Sequence, residues 1–148
     1  MLKYKNLIYS IAILISVVIL SFNLIICDAA SSKKAIAHHK EDYYQDIIAK
    51  KIGGEREVLL DDKTRIDIAT PTTVIEVEFA YKFYESIGQS SWYSYKTGKL
   101  PEIWLIKESD KDDKFILRCK TVCENAVRIK LGEKLVKIKV NVYDNSKR

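Results

Sequence analysis

The stretch RIDIATPTTVIEVEF, residues 65–79, sets three acids, Asp67, Glu76 and Glu78, among otherwise apolar strand positions. Thr70-Pro71-Thr72-Thr73 reads as a turn between two strands, since Pro presets the backbone for a turn and cannot donate to a ladder. If those four residues form the hairpin loop, residues whose numbers sum to 143 face each other, so Asp67 lies opposite Glu76 and Arg65 opposite Glu78. The period of two then puts all four on one face and gives Ile66, Ile68, Ile75 and Val77 to the core. Like charges directly opposite destabilise a ladder. A divalent cation reverses that sign, because hard Mg²⁺ or Mn²⁺ prefers carboxylate oxygens. The bland alternative is an exposed Arg65–Glu78 pair, with Asp67 and Glu76 facing water.

The strands on either side define an α/β chain. A helix is expected over residues 38–51, with Tyr43, Tyr44, Ile47 and Ile48 as its apolar stripe and Gly53-Gly54 as its stop. Residues 56–60 read as a short strand and 61–63 as a turn. After the hairpin, residues 80–97 form a helix closed by Gly98 and Pro101, and 102–107 a strand. Residues 111–129 form a helix and 135–143 a final strand with alternating Val136, Ile138, Val140 and Val142. The order is α-β-β-β-α-β-α-β with a mixed sheet.

With 148 residues, 47% of them apolar, the chain holds one domain of ordinary size plus a terminal extension. Its net charge of +5 is built from both signs and favours no partner strongly. The extension is N-terminal: residues 7–27 carry no charge, about the length of a membrane span, which divides the chain into residues 1–30 and a domain over 31–148. Cleavage after Ala29 as a signal peptide and retention as a helical anchor are both open. Ile26 before Cys27 argues against lipid attachment. Lys3 and Lys5 favour a cytoplasmic N-terminus, opposed by Lys33, Lys34 and Lys40, and the domain is expected outside the cytoplasm. Cys119 and Cys123 fall on the apolar face of a helix with Ile116, Ala126 and Val127, as small buried residues. His38 and His39 are too distant in sequence to complete a zinc set with them.

The helix after the hairpin carries Lys82, Glu85, Gln89, Tyr93 and Lys96 at spacings of three and four, a polar stripe beginning directly after the acidic strand. Its other side offers Ala80, Phe83, Tyr84 and Ile87. Asp67, then Glu76-Val77-Glu78, then Gln89-Ser-Ser-Trp-Tyr93 resembles the PD-(D/E)XK nuclease superfamily, in particular its RecB-like branch with a Q-x-x-x-Y helix motif. More closely, residues 53–106 resemble small exported proteins of that superfamily with a D…E-x-D/E-F-A…K…E-x-I-G-Q…Y-x-x-x-T-G-K pattern.

That resemblance implies a restriction-endonuclease-like core and metal-dependent hydrolysis of DNA phosphodiester bonds. Asp67 and Glu76 would hold Mg²⁺ or Mn²⁺, with the backbone carbonyl of Val77 as a further ligand. Glu41 would be the acid added by the first helix, a role for which Asp42 competes. Gln89 and Tyr93 would orient substrate or water. The superfamily's lysine is replaced here by Glu78, and Lys82 is its candidate substitute, with an exposed pair to Glu78 or Glu85 as the bland alternative. Lys130, Lys134, Lys137, Lys139, Lys147 and Arg148 could follow a phosphate backbone, and Trp92, Tyr93 and Tyr95 could stack on bases. The competing reading is a catalytically silent, membrane-tethered domain that binds nucleic acid or a protein partner.

Overall fold

The computed structural model describes residues 39–147. The uncharged run of residues 7–27, with Cys27 and the cleavage point after Ala29, lies outside them, as does Arg148. Among the described residues no helix is long and apolar enough to cross a membrane.

Helix α1 (Glu41–Ile52) opens with Glu41 and Asp42 and closes with Lys50 and Lys51, charges that suit the dipole at each end. Gly53 ends it in the left-handed region at φ 68°, where a side chain would be strained. Strands β1 (Glu55–Leu59), β2 (Arg65–Ala69) and β3 (Thr73–Phe79) form an antiparallel meander. A short 3₁₀ turn (Ala80–Lys82) leads into α2 (Phe83–Thr97), which crosses over to β4 (Leu100–Lys107), parallel to β3. Helix α3 (Asp113–Asn125) follows a 3₁₀ turn with a Ser109–Asp112 capping box. A small hairpin, β5 (Ile129–Leu131) and β6 (Lys134–Val136), precedes β7 (Lys139–Asp144), which runs parallel to β4. The result is a mixed α/β fold with a five-stranded sheet of order β1-β2-β3-β4-β7.

The expected order is therefore corrected at its end. Residues 126–129 leave the helix, Ile129 starts a strand, and the single strand expected over 135–143 is two strands in two sheets. Gly132, at φ 59°, takes the first place of a two-residue hairpin loop with Glu133, a site that disfavours any Cβ. Apolar alternation runs unbroken from Val136 through Val142, so periodicity alone hides the break.

The hairpin register is as expected: Ile68 pairs with Ile75 and Ala69 with Val74, both summing to 143. Thr70 builds its turn, its backbone N–H donating to the Thr73 carbonyl at 2.9 Å and its hydroxyl accepting the Thr73 N–H at 2.9 Å. One face of the sheet packs Ile68, Ile75, Val77, Phe79, Trp104 and Ile106 against Tyr44 and Ile48 of α1. Ile66 is buried as expected, but in a separate cluster with Val74, Ala69 and Tyr93 rather than with Ile68 and Ile75. On the α2 and α3 side, Phe83, Ile103, Leu105, Ile116, Cys119 and Cys123 form the remaining core. The two cysteines are buried, as the helical spacing indicates, and both are free, whereas Ala126 is exposed.

Helix α2 is bound to the sheet differently from its hydrophobic pattern. Its buried positions are Phe83, Ser86, Ser90, Tyr93 and Ser94, while Tyr84 is 67% exposed. Serine is small enough for close approach of helix to sheet, and its hydroxyl is satisfied locally: Ser86 donates to the Phe83 carbonyl at 2.9 Å and Ser94 to the Lys99 carbonyl at 2.6 Å. Tyr84 lays its ring against Phe83 from outside, with centroids 3.8 Å apart.

Candidate active site

The acids of the hairpin replace part of its ladder. Beyond the Ile68–Ile75 pair, an Asp67 Oδ2 oxygen accepts the Val77 N–H at 2.8 Å, and the Glu76 carboxyl accepts the N–H of Asp67. Each strand thus gives a backbone donor to the other strand's carboxyl, which opens the hairpin where Asp67 and Glu76 meet. Glu76 is 3% exposed and its Oε1 has no hydrogen-bond partner. A buried oxygen of this kind costs about 1–3 kcal/mol if nothing pairs with it.

Two further acids complete the cluster. Glu78 is 7% exposed, and its Oε1 accepts the Phe79 N–H at 2.9 Å and faces the Lys82 ammonium at 3.4 Å. From α1, Glu41 shares a hydrogen bond with Glu78 and accepts one from Gln45 Nε2 at 3.1 Å. Burial pushes Glu76 up to about 10, helped by the charge of Asp67. Burial, then the hydrogen bond and charge of Glu78, push Glu41 up to about 8. Burial likewise raises Asp67 to about 6, against the Val77 N–H, which favours its charged form. Lys82 is raised, chiefly by the Glu78 charge. Burial thus favours the protonated form at Glu76 and Glu41, while Glu78 faces the Lys82 ammonium.

The expected site residues separate into those the fold brings together and those it does not. Glu41, Asp67, Glu76, Glu78 and Lys82 converge. Tyr93 is 5% exposed; burial first, then the charges of Glu76 and Asp67, push its hydroxyl up, and its oxygen accepts the Arg65 N–H. Gln89, one turn earlier on the same stripe, is exposed. Arg65 leaves the expected pairing: its guanidinium bonds Glu57 on β1 at 2.6 Å instead of Glu78, because β1 is its neighbour across the ladder. Asp42 faces Arg56 at 3.7 Å, away from the role for which it competed.

Two contributors have no motif of their own. Glu57 sits within β1 at φ 57°, a left-handed conformation that costs a non-glycine residue on the order of 1 kcal/mol, and its charge bears on Asp67. Gln45, 3% exposed, joins Glu41 to Arg56, whose Nη2 donates to Gln45 Oε1 at 2.6 Å. The only sequence signal for Gln45 is its place four residues after Glu41, on the same face of α1.

The aromatic and basic candidates are mostly engaged. Trp92 donates its indole N–H to Asp62 at 2.9 Å, and Lys96 pairs with Asp61 at 2.8 Å, tying α2 to the β1–β2 turn. Lys137 pairs with Glu124, Lys139 with Glu102 at 3.2 Å and Lys147 with Asp144 at 3.6 Å. Lys130 and Lys134 stay exposed on the small hairpin.

Carboxylate oxygens are the donors a small divalent cation prefers, and Glu76 Oε1 is buried without a partner. Among the described residues no three acidic, histidine or cysteine side chains are already spaced as a metal cage. Because burial favours the protonated form of Glu41 and Glu76, a cation entering there would have to displace their protons. Comparison with family models, with curated proteins and with solved structures yields no match.

Proposed function

We propose that this chain is a metal-dependent nuclease hydrolysing DNA phosphodiester bonds on a restriction-endonuclease-like core. The observation carrying the reading is the opened β2–β3 ladder, where Asp67 and Glu76 meet and Glu76 keeps one buried oxygen unpaired. The sequence order Asp67, Glu76-Val77-Glu78, Gln89, Tyr93 and its resemblance to the PD-(D/E)XK superfamily name the chemistry. The mixed sheet, with a meander feeding a crossover helix and a parallel strand, is consistent with that core.

On this reading Asp67, Glu76 and the Val77 carbonyl hold Mg²⁺ or Mn²⁺, with Glu41 as the acid from α1. When bound, such an ion polarises the scissile phosphate and lowers the pKa of the attacking water. Glu78 would anchor Lys82 at the rim, and the ammonium would meet the phosphate charge in place of the superfamily's strand lysine. Tyr93 is buried beside Asp67 and Glu76, where it would help orient substrate or water, and Gln89 is exposed one turn earlier on the helix.

One observation favours the silent binding domain. Lys82 is engaged by Glu78, so the cation needed for turnover is partly neutralised. Cleavage of single- and double-stranded DNA in Mn²⁺, Mg²⁺ or EDTA separates the two readings, with Asp67→Ala and Lys82→Ala beside the unaltered chain. The nuclease reading expects metal-dependent cutting that falls by on the order of 10³-fold in Asp67→Ala, the several kcal/mol an ion supplies. Loss in Lys82→Ala would assign the displaced lysine. No cutting with any metal moves the assignment to the binding domain.

A further inference from the structure

We infer that Gln45 and Arg56 are positioning residues that aim the Glu41 carboxyl into the acidic site. The inference rests on the metal-site reading above. A continuous chain of polar contacts runs inward from β1: Arg56 Nη2 to Gln45 Oε1 at 2.6 Å, Gln45 Nε2 to Glu41 Oε1 at 3.1 Å, Glu41 to Glu78, and Glu78 to Lys82 at 3.4 Å.

The direction of the chain is fixed by chemistry. A guanidinium has only donors, so the Gln45 oxygen must face Arg56 and its NH₂ must face Glu41. Gln45 therefore acts on Glu41 as a donor that cannot turn around, held in a position 3% exposed. Arg56 is itself clamped by Asp46, with Asp42 at 3.7 Å and Glu57 at 3.8 Å.

Two local costs are concentrated at the base of this relay. Arg56 Nε is buried without an acceptor, and the next residue, Glu57, holds a left-handed backbone. A residue serving only to neutralise the acids of α1 would be free to turn its fork and satisfy that nitrogen. Instead its geometry satisfies Gln45. Glu41 stands at the first turn of α1, where a carboxyl has many rotamers to choose from, and the relay selects the one that meets Glu78.

The test is a double-mutant cycle on the full chain, read by Mn²⁺ titration calorimetry and thermal unfolding. Gln45→Met keeps the volume and removes the donor. It should weaken Mn²⁺ binding by about 10- to 100-fold, as loss of an outer support for a ligand does. In a Glu41→Gln background the same change should have no further effect on affinity, because the residue through which it acts is gone. Equal losses in both backgrounds, or an unchanged affinity with a lowered Tm, would assign Gln45 to plain packing and overturn the inference. If the unaltered chain binds no Mn²⁺, the metal reading falls, and the unfolding cycle decides the relay. Non-additive shifts in Tm for positions 41 and 45 would uphold it, and additive shifts would overturn it.

Discussion

Glu76 and Glu102 are buried carboxyl groups on adjacent parallel strands, one step apart in register: Glu76 faces Ile103, and Glu102 faces Ile75. They therefore lie on opposite faces of one sheet. Glu102 is saturated with donors: Trp104 Nε1 at 2.8 Å, Asn141 Nδ2 at 2.6 Å and Lys139 Nζ at 3.2 Å. Glu76 receives one backbone N–H, keeps one oxygen unpaired and is surrounded by Asp67, Glu41 and Glu78. A carboxylate that ties strands together is surrounded by donors; one left short of donors beside three other acids has room for the cation that the proposed function assigns to it.

The contrast breaks most sharply under exchange of the two residues' substitutions. Glu102→Ala leaves the buried Trp104 donor and the half-buried Asn141 donor unpaired, and should cost about 2–4 kcal/mol in urea unfolding. Its Mn²⁺ affinity should be unchanged. Glu76→Gln should do the reverse. At pH 7 the folded Glu76 holds its proton, being pushed up to about 10, so the amide is close to an isostere and stability should move by less than about 1 kcal/mol. Mn²⁺ binding should weaken by at least about 100-fold. A Glu76→Gln variant that unfolds while still binding Mn²⁺ would erase the distinction.

The same contrast predicts an inverted pH dependence. A carboxyl whose folded pKa is raised binds more protons folded than unfolded, so the stability it contributes is full below its ordinary value and lost as pH rises through the folded one. For the metal-free chain that loss runs through about 6 for Asp67, about 8 for Glu41 and about 10 for Glu76. The carboxylates held low, Asp61, Asp62, Glu124 and Asp144, act in acid, below this window. The Tm of the metal-free chain should therefore fall between pH 5 and pH 9, and saturating Mn²⁺ should recover it most at the alkaline end, where fewer protons have to leave. A Tm that is flat across that range would show that the four acids do not share one site.

How much of this the chain's own letters carry depends on how local the determinant is. The β2–β3 register follows from a four-residue turn and period-two alternation, both contained in fifteen residues, so Asp67 and Glu76 could be placed together before any coordinates. The buried serines of α2 could not. Hydropathy counts Ser86, Ser90 and Ser94 as polar, and only the close approach of helix to sheet makes them interior and leaves Tyr84 outside. The Arg56–Gln45–Glu41 relay is less legible still, since it joins a strand edge to a helix through side chains with no common period. At the C-terminal end, the hairpin loop Gly132-Glu133 is a readable turn that the unbroken Val136-to-Val142 alternation overrides.

The smallest predicted effect tests whether Gln89 and Tyr93 act as one motif. They lie one turn apart on α2, yet the fold treats them unequally: Tyr93 is buried, with its oxygen on the Arg65 N–H beside Asp67 and Glu76, while Gln89 is exposed. Tyr93→Phe removes one hydrogen bond, at about 0.5–1.5 kcal/mol, and should slow cleavage by about two- to tenfold, the hairpin strands being less firmly placed. Gln89→Ala loses only what an exposed amide can offer a substrate, and should change kcat by less than about twofold while raising KM. If Gln89→Ala instead lowers kcat as far as Tyr93→Phe does, the amide reaches the reacting phosphate. The mouth of the site must then close over substrate, bringing the exposed stripe of α2 down onto the acids of the hairpin.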